Sequence, residues 1–227
     1  MDKIKAILLD IDNTILDFNK CAEKAVKIAF EKCGLEYTDN TFKVFTEQND
    51  MLWQKIERGE LTRQGLHKIR FNTIFNVLGI VADGEMAETE FRNSLFNIAE
   101  TVDGAVELVK YLSSKYKVYS ASNAIYKQQL NRLKMAGLYD YFSDFFVSEI
   151  IGHQKPTKEF FDYCFSKLEG LNKEQTIMIG DSLTADILGA KNYGIKCIWF
   201  NRDKKQNELS VSPDFMVYSL EEIKNIL

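Results

Sequence analysis

Asp10-Ile11-Asp12-Asn13-Thr14 sets two carboxylates two residues apart, directly after the apolar run 4–9. Beyond a strand's end the strict alternation of side chains relaxes, so both acids can face one crevice. At ~4 Å two such charges repel by about 4 kcal/mol at an effective dielectric near 20. A cation between them, or a proton on one, relieves that cost. Alone, the pair reads equally as a solvated surface turn. A second acidic segment, Gly180-Asp181-Ser182-Leu183-Thr184-Ala185-Asp186, also follows an apolar run. Gly180 permits close backbone approach there, while Asp181 or Ser182 could simply cap the helix that runs to Gly194. Ser120-Ala121-Ser122-Asn123 offers a hydroxyl and backbone N–H groups at an expected helix start, which suits an anion or a plain N-cap. Lys155-Pro156 places a lysine just before a helix, with proline at the first helical position; a solvated lysine is the alternative. Together these segments supply a carboxylate nucleophile, a second carboxylate, a metal-binding acid, a hydroxyl and a cation. That set suits magnesium-dependent phosphoryl transfer. Magnesium takes oxygen ligands, and Mg²⁺ with Lys155 would neutralise a phosphate before an anionic nucleophile approaches.

Elements must hold these residues in place. Ile4-Lys5-Ala6-Ile7-Leu8-Leu9 fits a short buried strand. Similar runs lie near 117–121, 144–147, 176–179, 196–200 and 214–218. Helical patterns separate most of them. From about residue 103 helix and strand alternate, which predicts an α/β fold on a parallel sheet covered on both faces. Such sheets bind ligands along the edge where the carboxyl ends of the strands lie. The stretch 16–99 has no strand pattern. Phe18, Cys21, Ala22, Ala25, Val26, Ala29, Phe30 and Cys33 follow helical spacing, and Gly34 stops that helix. Further helices are expected at about 41–58, 62–78 and 85–100. A crossover helix needs far fewer residues, so 16–99 reads as an inserted helical subdomain, and 1–15 with 100–227 as the core. Ser219-Leu220-Glu221-Glu222 reads as a capping box opening a last helix.

Composition excludes several classes. Of 227 residues, 45% are hydrophobic and 27% charged, which rules out bulk disorder. With 29 basic and 33 acidic residues the net charge is −4, so no nucleic-acid polymer or anionic membrane is expected as partner. Cys21, Cys33, Cys164 and Cys197 form no C-x-x-C pair and read as buried free thiols in a reducing cytosol. The apolar stretch before Asp10 is too short for a signal peptide, and no run approaches the ~18 residues of a membrane span. A cytoplasmic setting is expected; nothing in the sequence sets an oligomeric state.

In chain order, Asp10-Ile11-Asp12-Asn13-Thr14, Ser122-Asn123, Lys155-Pro156 and Gly180-Asp181 followed by Asp186 resemble the four motifs of the haloacid dehalogenase (HAD) superfamily. The resemblance spans essentially the whole chain, and the helical insert is similar to that superfamily's α-helical cap. The implied architecture is a Rossmann-like parallel-sheet core with an inserted helical cap. Ser148 to Pro156, Phe160-Phe161-Asp162-Tyr163, and in the cap Leu52-Trp53-Gln54, Gly59, Thr62 and Arg70-Phe71, look like the YjjG/YfnB branch. That likeness implies a small phosphomonoester substrate, a nucleoside 5′-monophosphate with a leaning to pyrimidines. It also implies roles. Asp10 attacks phosphorus; Asp12 protonates the leaving alkoxide and then activates water. Asp10, the Asp12 backbone carbonyl and Asp181 hold Mg²⁺. Ser122, the Asn123 backbone and Lys155 hold phosphoryl oxygens, and Asp186 supports the metal shell or orients Lys155. Ala124 and Asn13 stand where relatives often carry glycine; asparagine tolerates left-handed backbone angles.

Rival readings make different demands. Dehalogenases of this superfamily generally lack the second aspartate, because a halide needs no proton. A phosphomutase would need extra cations in the cap, for which Lys68 and Arg70 are candidates. Phosphatases of phosphoglycolate or sugar phosphates share the same chemistry. A degenerate binding protein would be expected to lose Asp10 or Asp181. Trp53, Arg70 and Phe71 are the candidates for substrate contact, since an aromatic ring can stack on a base. For Trp53 and Phe71, packing within the cap is the simpler reading. His67 and His153 join no ligand cluster. Hinges at about 16–20 and 97–103 would let the cap open and close over the site.

Overall fold

The computed structural model describes residues 3–207 and 209–227. The chain opens on β1 (Ala6–Leu9), then runs through α1 (Phe18–Lys32), α2 (Asp39–Glu57), α3 (Arg63–Leu78) and α4 (Gly84–Phe96) without a strand. Alternation follows: α5 (Ala105–Lys115), β2 (Lys117–Ser122), α6 (Tyr126–Met135), β3 (Asp144–Val147), a one-turn α7 (Ser148–Ile151), α8 (Lys158–Lys167) and β4 (Thr176–Gly180). A π-helical turn, Leu183–Leu188, leads into α9 (Gly189–Tyr193), then β5 (Lys196–Phe200) and β6 (Phe215–Val217).

All six strands are parallel, in the order β3-β2-β1-β4-β5-β6. The chain builds outward from β1 to β2 and β3, then returns to the other side of β1 with β4. That reversal is the place where open α/β sheets leave a crevice at the strand ends. The pleat sends Ile7, Leu9, Val118, Ile177 and Ile179 to one face, against Leu108 and Leu112 of α5 and Leu133 of α6. Ala6, Leu8 and Met178 point to the other, against Phe160, Phe161 and Cys164 of α8. Every residue of β1 is therefore buried, which is why it reads as an unbroken apolar run.

Two compact units result. One holds the chain up to Asp17 and from Glu100 onward; the other is Phe18–Ala99. The two connecting segments lie side by side: Leu16 bridges to Thr101, and the Asp17 N–H donates to the Glu100 carbonyl at 2.8 Å. The helical unit has its own core, in which Phe45, Phe71 and Phe91 meet ring to ring.

Three local expectations need correction. Pro156 does not open a helix: α8 starts at Lys158 with Thr157 as its N-cap, so Pro156 belongs to the preceding turn. The last helix is a 3₁₀ segment, Glu221–Asn225. Leu220 is its N-cap, and only the reciprocal half of the expected box forms, with Glu222 accepting from the Ser219 N–H at 2.8 Å and from its hydroxyl at 2.9 Å. α4 ends at Phe96, short of residue 100. All four cysteines are free thiols; three are buried and Cys33 is half-buried. Among the described residues no helix is long and apolar enough to cross a membrane.

Candidate active site

Every core residue singled out by spacing lies in the α/β unit, at or just beyond the carboxyl ends of β1, β2 and β4 or in the turn before α8. Asp10 leaves β1 buried, with both carboxylate oxygens held. Thr14 donates to one at 2.9 Å and the Lys155 ammonium to the other at 2.7 Å. The tight turn after Asp10 requires Asn13 at φ 62°, a left-handed conformation that asparagine adopts readily.

Asp181 follows β4, and Ser182 caps the next turn by accepting from the Ala185 N–H at 3.0 Å. The turn is wide: the Ile187 N–H reaches the carbonyl of Ser182, five residues back, at 3.2 Å. Within it Asp186 is fully buried, accepting from Lys155 at 2.6 Å and from the Ser182 N–H at 3.0 Å. Gly180 makes room for it, since a Cβ there would sit 2.1 Å from an Asp186 oxygen.

Ser122 and Asn123 are not at a helix start. Ser122 ends β2, and α6 begins only at Tyr126 without a side-chain cap. Asn123 instead stitches two loops together. Its amide donates to the Lys155 carbonyl at 2.9 Å and its oxygen accepts the Lys155 N–H at 2.8 Å. Ser122 accepts from the Gln129 amide at 2.9 Å, which leaves its own hydroxyl proton to donate elsewhere.

Asp10, Asp181 and Asp186 each offer a carboxylate oxygen, all within 4.8 Å of one another. Asp186 adds a third carboxylate to the cluster while its own oxygens hold the Lys155 ammonium and the Ser182 N–H. The Asp12 side chain turns the other way, toward α6. One oxygen accepts from Arg132 at 2.5 Å and the other from Gln129 at 2.6 Å. Gln129 and Arg132 belong to none of the sequence motifs. The available signal was their i, i+3 spacing on the helical face that also carries Leu133.

The Lys155 ammonium bonds two of the three carboxylates, Asp10 and Asp186, while Asp181 feels Lys205 and Lys155 only through the field. Burial chiefly, with Asp186 and Asp12 adding and Lys155 opposing, pushes the Asp10 carboxyl up to about 7. Burial, then Asp10 and Asp186, lifts Asp181 well above the usual carboxylate range. Burial alone would weaken the Lys155 ammonium, but Asp10 and Asp186 outweigh it and hold the group protonated. An all-oxygen donor set with excess negative charge fits a hard divalent cation.

The cap candidates fare differently. Arg70 is buried and fully engaged: it grips both Glu88 oxygens at 3.0 and 2.6 Å, donates to Asn49 at 3.0 Å, and lies 4.5 Å over the Phe91 ring. Phe71 belongs to the aromatic core. Both are buried within the helical unit's own packing, and the Arg70 charge is matched by Glu88. Trp53 packs half-buried beside Leu52, Ile56 and Leu66. His67 is held neutral, lowered to about 3 by burial and by Arg92, Arg70 and Arg63.

The fold and the strand-end acids define a hydrolase class, and residues 4–194 match the model of the haloacid dehalogenase-like hydrolases. The chain belongs to that family. It is 35% identical to the putative HAD-hydrolase YfnB of Bacillus subtilis, covering all of this chain and 97% of that protein. The crystal structure of YfnB bound to magnesium, described as revealing interdomain movement, matches with a TM-score of 0.94 over 99% of each chain. Identity is 34% to pyrimidine 5′-nucleotidase PynA of Streptococcus pneumoniae, over 98% of this chain and 97% of that one. It is 28% to pyrimidine 5′-nucleotidase YjjG of Escherichia coli, over 97% and 96%.

Proposed function

We propose that this chain is a magnesium-dependent phosphomonoesterase that works through a phosphoryl group on Asp10 and takes pyrimidine nucleoside 5′-monophosphates. The observation that carries the chemistry is the pair Asp10 and Asp12: one carboxylate lies against Lys155 and the acidic cluster, the other is held apart by Arg132 and Gln129. The substrate class is supported by the likeness to PynA and YjjG.

Asp10 attacks phosphorus through a carboxylate oxygen, and the bond to the leaving oxygen breaks. Asp12 gives that oxygen its proton, so the nucleoside departs neutral. Asp12, now a carboxylate, takes a proton from water as the water attacks the phosphoryl group; inorganic phosphate leaves and Asp10 is restored. Splitting the reaction this way replaces one slow displacement by two easier ones. Lys155, the Ser122 hydroxyl and the Asn123 backbone N–H receive the phosphoryl oxygens. Asp10, Asp181 and the Asp12 carbonyl would hold Mg²⁺, with Asp186 beside them; bound there, the ion supplies charge neutralisation for the phosphate. The helical unit 18–99 is the cap that excludes water and selects the leaving group.

The test is phosphate release from UMP, dUMP, TMP, AMP, phosphoglycolate, sugar phosphates and p-nitrophenyl phosphate, with Mg²⁺ or EDTA. Mg²⁺-dependent turnover concentrated on the pyrimidine nucleotides is expected. Turnover confined to sugar phosphates or phosphoglycolate would overturn the nucleotidase reading, and turnover on none would overturn phosphatase chemistry.

A further inference from the structure

We propose that Gln129 and Arg132 are positioning residues that aim the Asp12 carboxylate at the leaving-group oxygen and couple it to Ser122. The inference rests on the phosphatase reading above. Arg132 is fully buried, and a buried guanidinium requires a partner of opposite charge. It pairs with Asp12, whose side chain is 30% exposed. The pair therefore anchors a partly open carboxylate to the core of the α/β unit. Gln129 completes the cradle. Its amide donates both to Asp12 at 2.6 Å and to Ser122 at 2.9 Å, while its oxygen accepts from Arg132 at 3.2 Å.

Each Asp12 oxygen thus has one fixed donor, and the side chain remains partly exposed. A carboxylate on a short side chain is otherwise free to turn about two bonds. Two donors spaced i, i+3 on one helix remove that freedom. The amide of Gln129 also orients Ser122, because an oxygen that accepts there must direct its own proton away. One helix face thereby sets both the group that moves the leaving-group proton and a group that meets the phosphoryl oxygens.

Leaving-group dependence separates positioning from bulk structure. With an aryl phosphate the leaving oxygen is stable as an anion and needs little help from Asp12. With an alkyl ester such as UMP it needs the proton. For both, kcat/KM reports only steps through transfer to Asp10. Gln129→Leu and Arg132→Lys are assayed with UMP and p-nitrophenyl phosphate, beside Asp12→Asn as reference. Thermal unfolding checks that each variant folds.

Expected is a loss in kcat/KM on UMP of about tenfold or more, with the aryl ester changed much less. Arg132→Lys should retain more UMP activity than Arg132→Ala, because it keeps the charge. Equal losses on both esters, or none, would overturn the inference while leaving the phosphatase reading intact. A wild-type protein that hydrolyses neither ester would overturn that reading, and the inference with it. If Arg132→Ala does not fold, Gln129→Leu and Arg132→Lys carry the comparison.

Discussion

Asp186 shows how much of this site depends on single atoms. Its carboxylate is fully buried, bonded to Lys155, and pressed against the only residue type that leaves room for it. Replacing Gly180 by alanine would push a methyl group into that carboxylate. Displacing Asp186 would pull on Lys155 and through it on Asp10. Gly180→Ala should therefore cost about 1–3 kcal/mol of stability, as overpacking does, and lower phosphate release by at least about tenfold. Denaturant titration and the UMP assay check both. Asp10, Ser122, Asn123 and Asp181 were legible in the sequence because each stands close after an apolar run, and Lys155 because Pro156 marks a turn before a helix. Gln129 and Arg132 were not, because Tyr126–Met135 is so polar that it reads as a solvated helix. Their partner is Asp12, over a hundred residues away in sequence, and their i, i+3 spacing marks a shared helix face without naming that partner.

At the scale of elements, strands were read more accurately than their connections. β3 and β5 fall on the expected residues, since each carries a short apolar run opened by one charged residue at its exposed start. The π-turn Leu183–Leu188 left no such mark: its register is set by hydrogen bonds to Ser182 and by Lys155 drawing Asp186 inward. Arg70 illustrates the opposite difficulty. A cation in the cap looks like a ligand for phosphate until its partner, Glu88, is seen eighteen residues on and equally buried. Removing only Arg70 strands that carboxylate, whose proton affinity burial already raises. Arg70→Ala should destabilise the helical unit by about 3–5 kcal/mol, whereas Arg70→Met with Glu88→Leu should be close to neutral. Thermal unfolding of the two variants distinguishes this structural role from substrate binding, which would leave stability unchanged in both.

For the whole molecule, the uncompensated charge at the strand ends links stability to metal. Asp10, Asp181 and Asp186 cluster together, and the Lys155 ammonium bonds Asp10 and Asp186. Without a cation the folded state carries their repulsion; with one it gains binding energy that the unfolded chain lacks. At Mg²⁺ a hundredfold above its dissociation constant, the gain is about 2.7 kcal/mol. Asp181→Asn should unfold at higher temperature than wild type in EDTA, by about 2–4 °C for each kcal/mol relieved, and should lose most of the Mg²⁺ shift. A variant less stable in EDTA with its Mg²⁺ shift intact would show that Asp181 has another task.

The central claim is that Asp10 carries the phosphoryl group. It is tested most directly by mixing Asp12→Asn with p-nitrophenyl phosphate and Mg²⁺, quenching in acid, and locating the modification by peptide mass spectrometry. The aryl ester can transfer its phosphoryl group without a proton donor, while water cannot release it without a base. One equivalent of p-nitrophenolate per enzyme is expected, with one phosphoryl group on the peptide containing Asp10, absent when Asp10 is also changed to asparagine. A phosphoryl group on another residue, or steady turnover with no adduct, would contradict it.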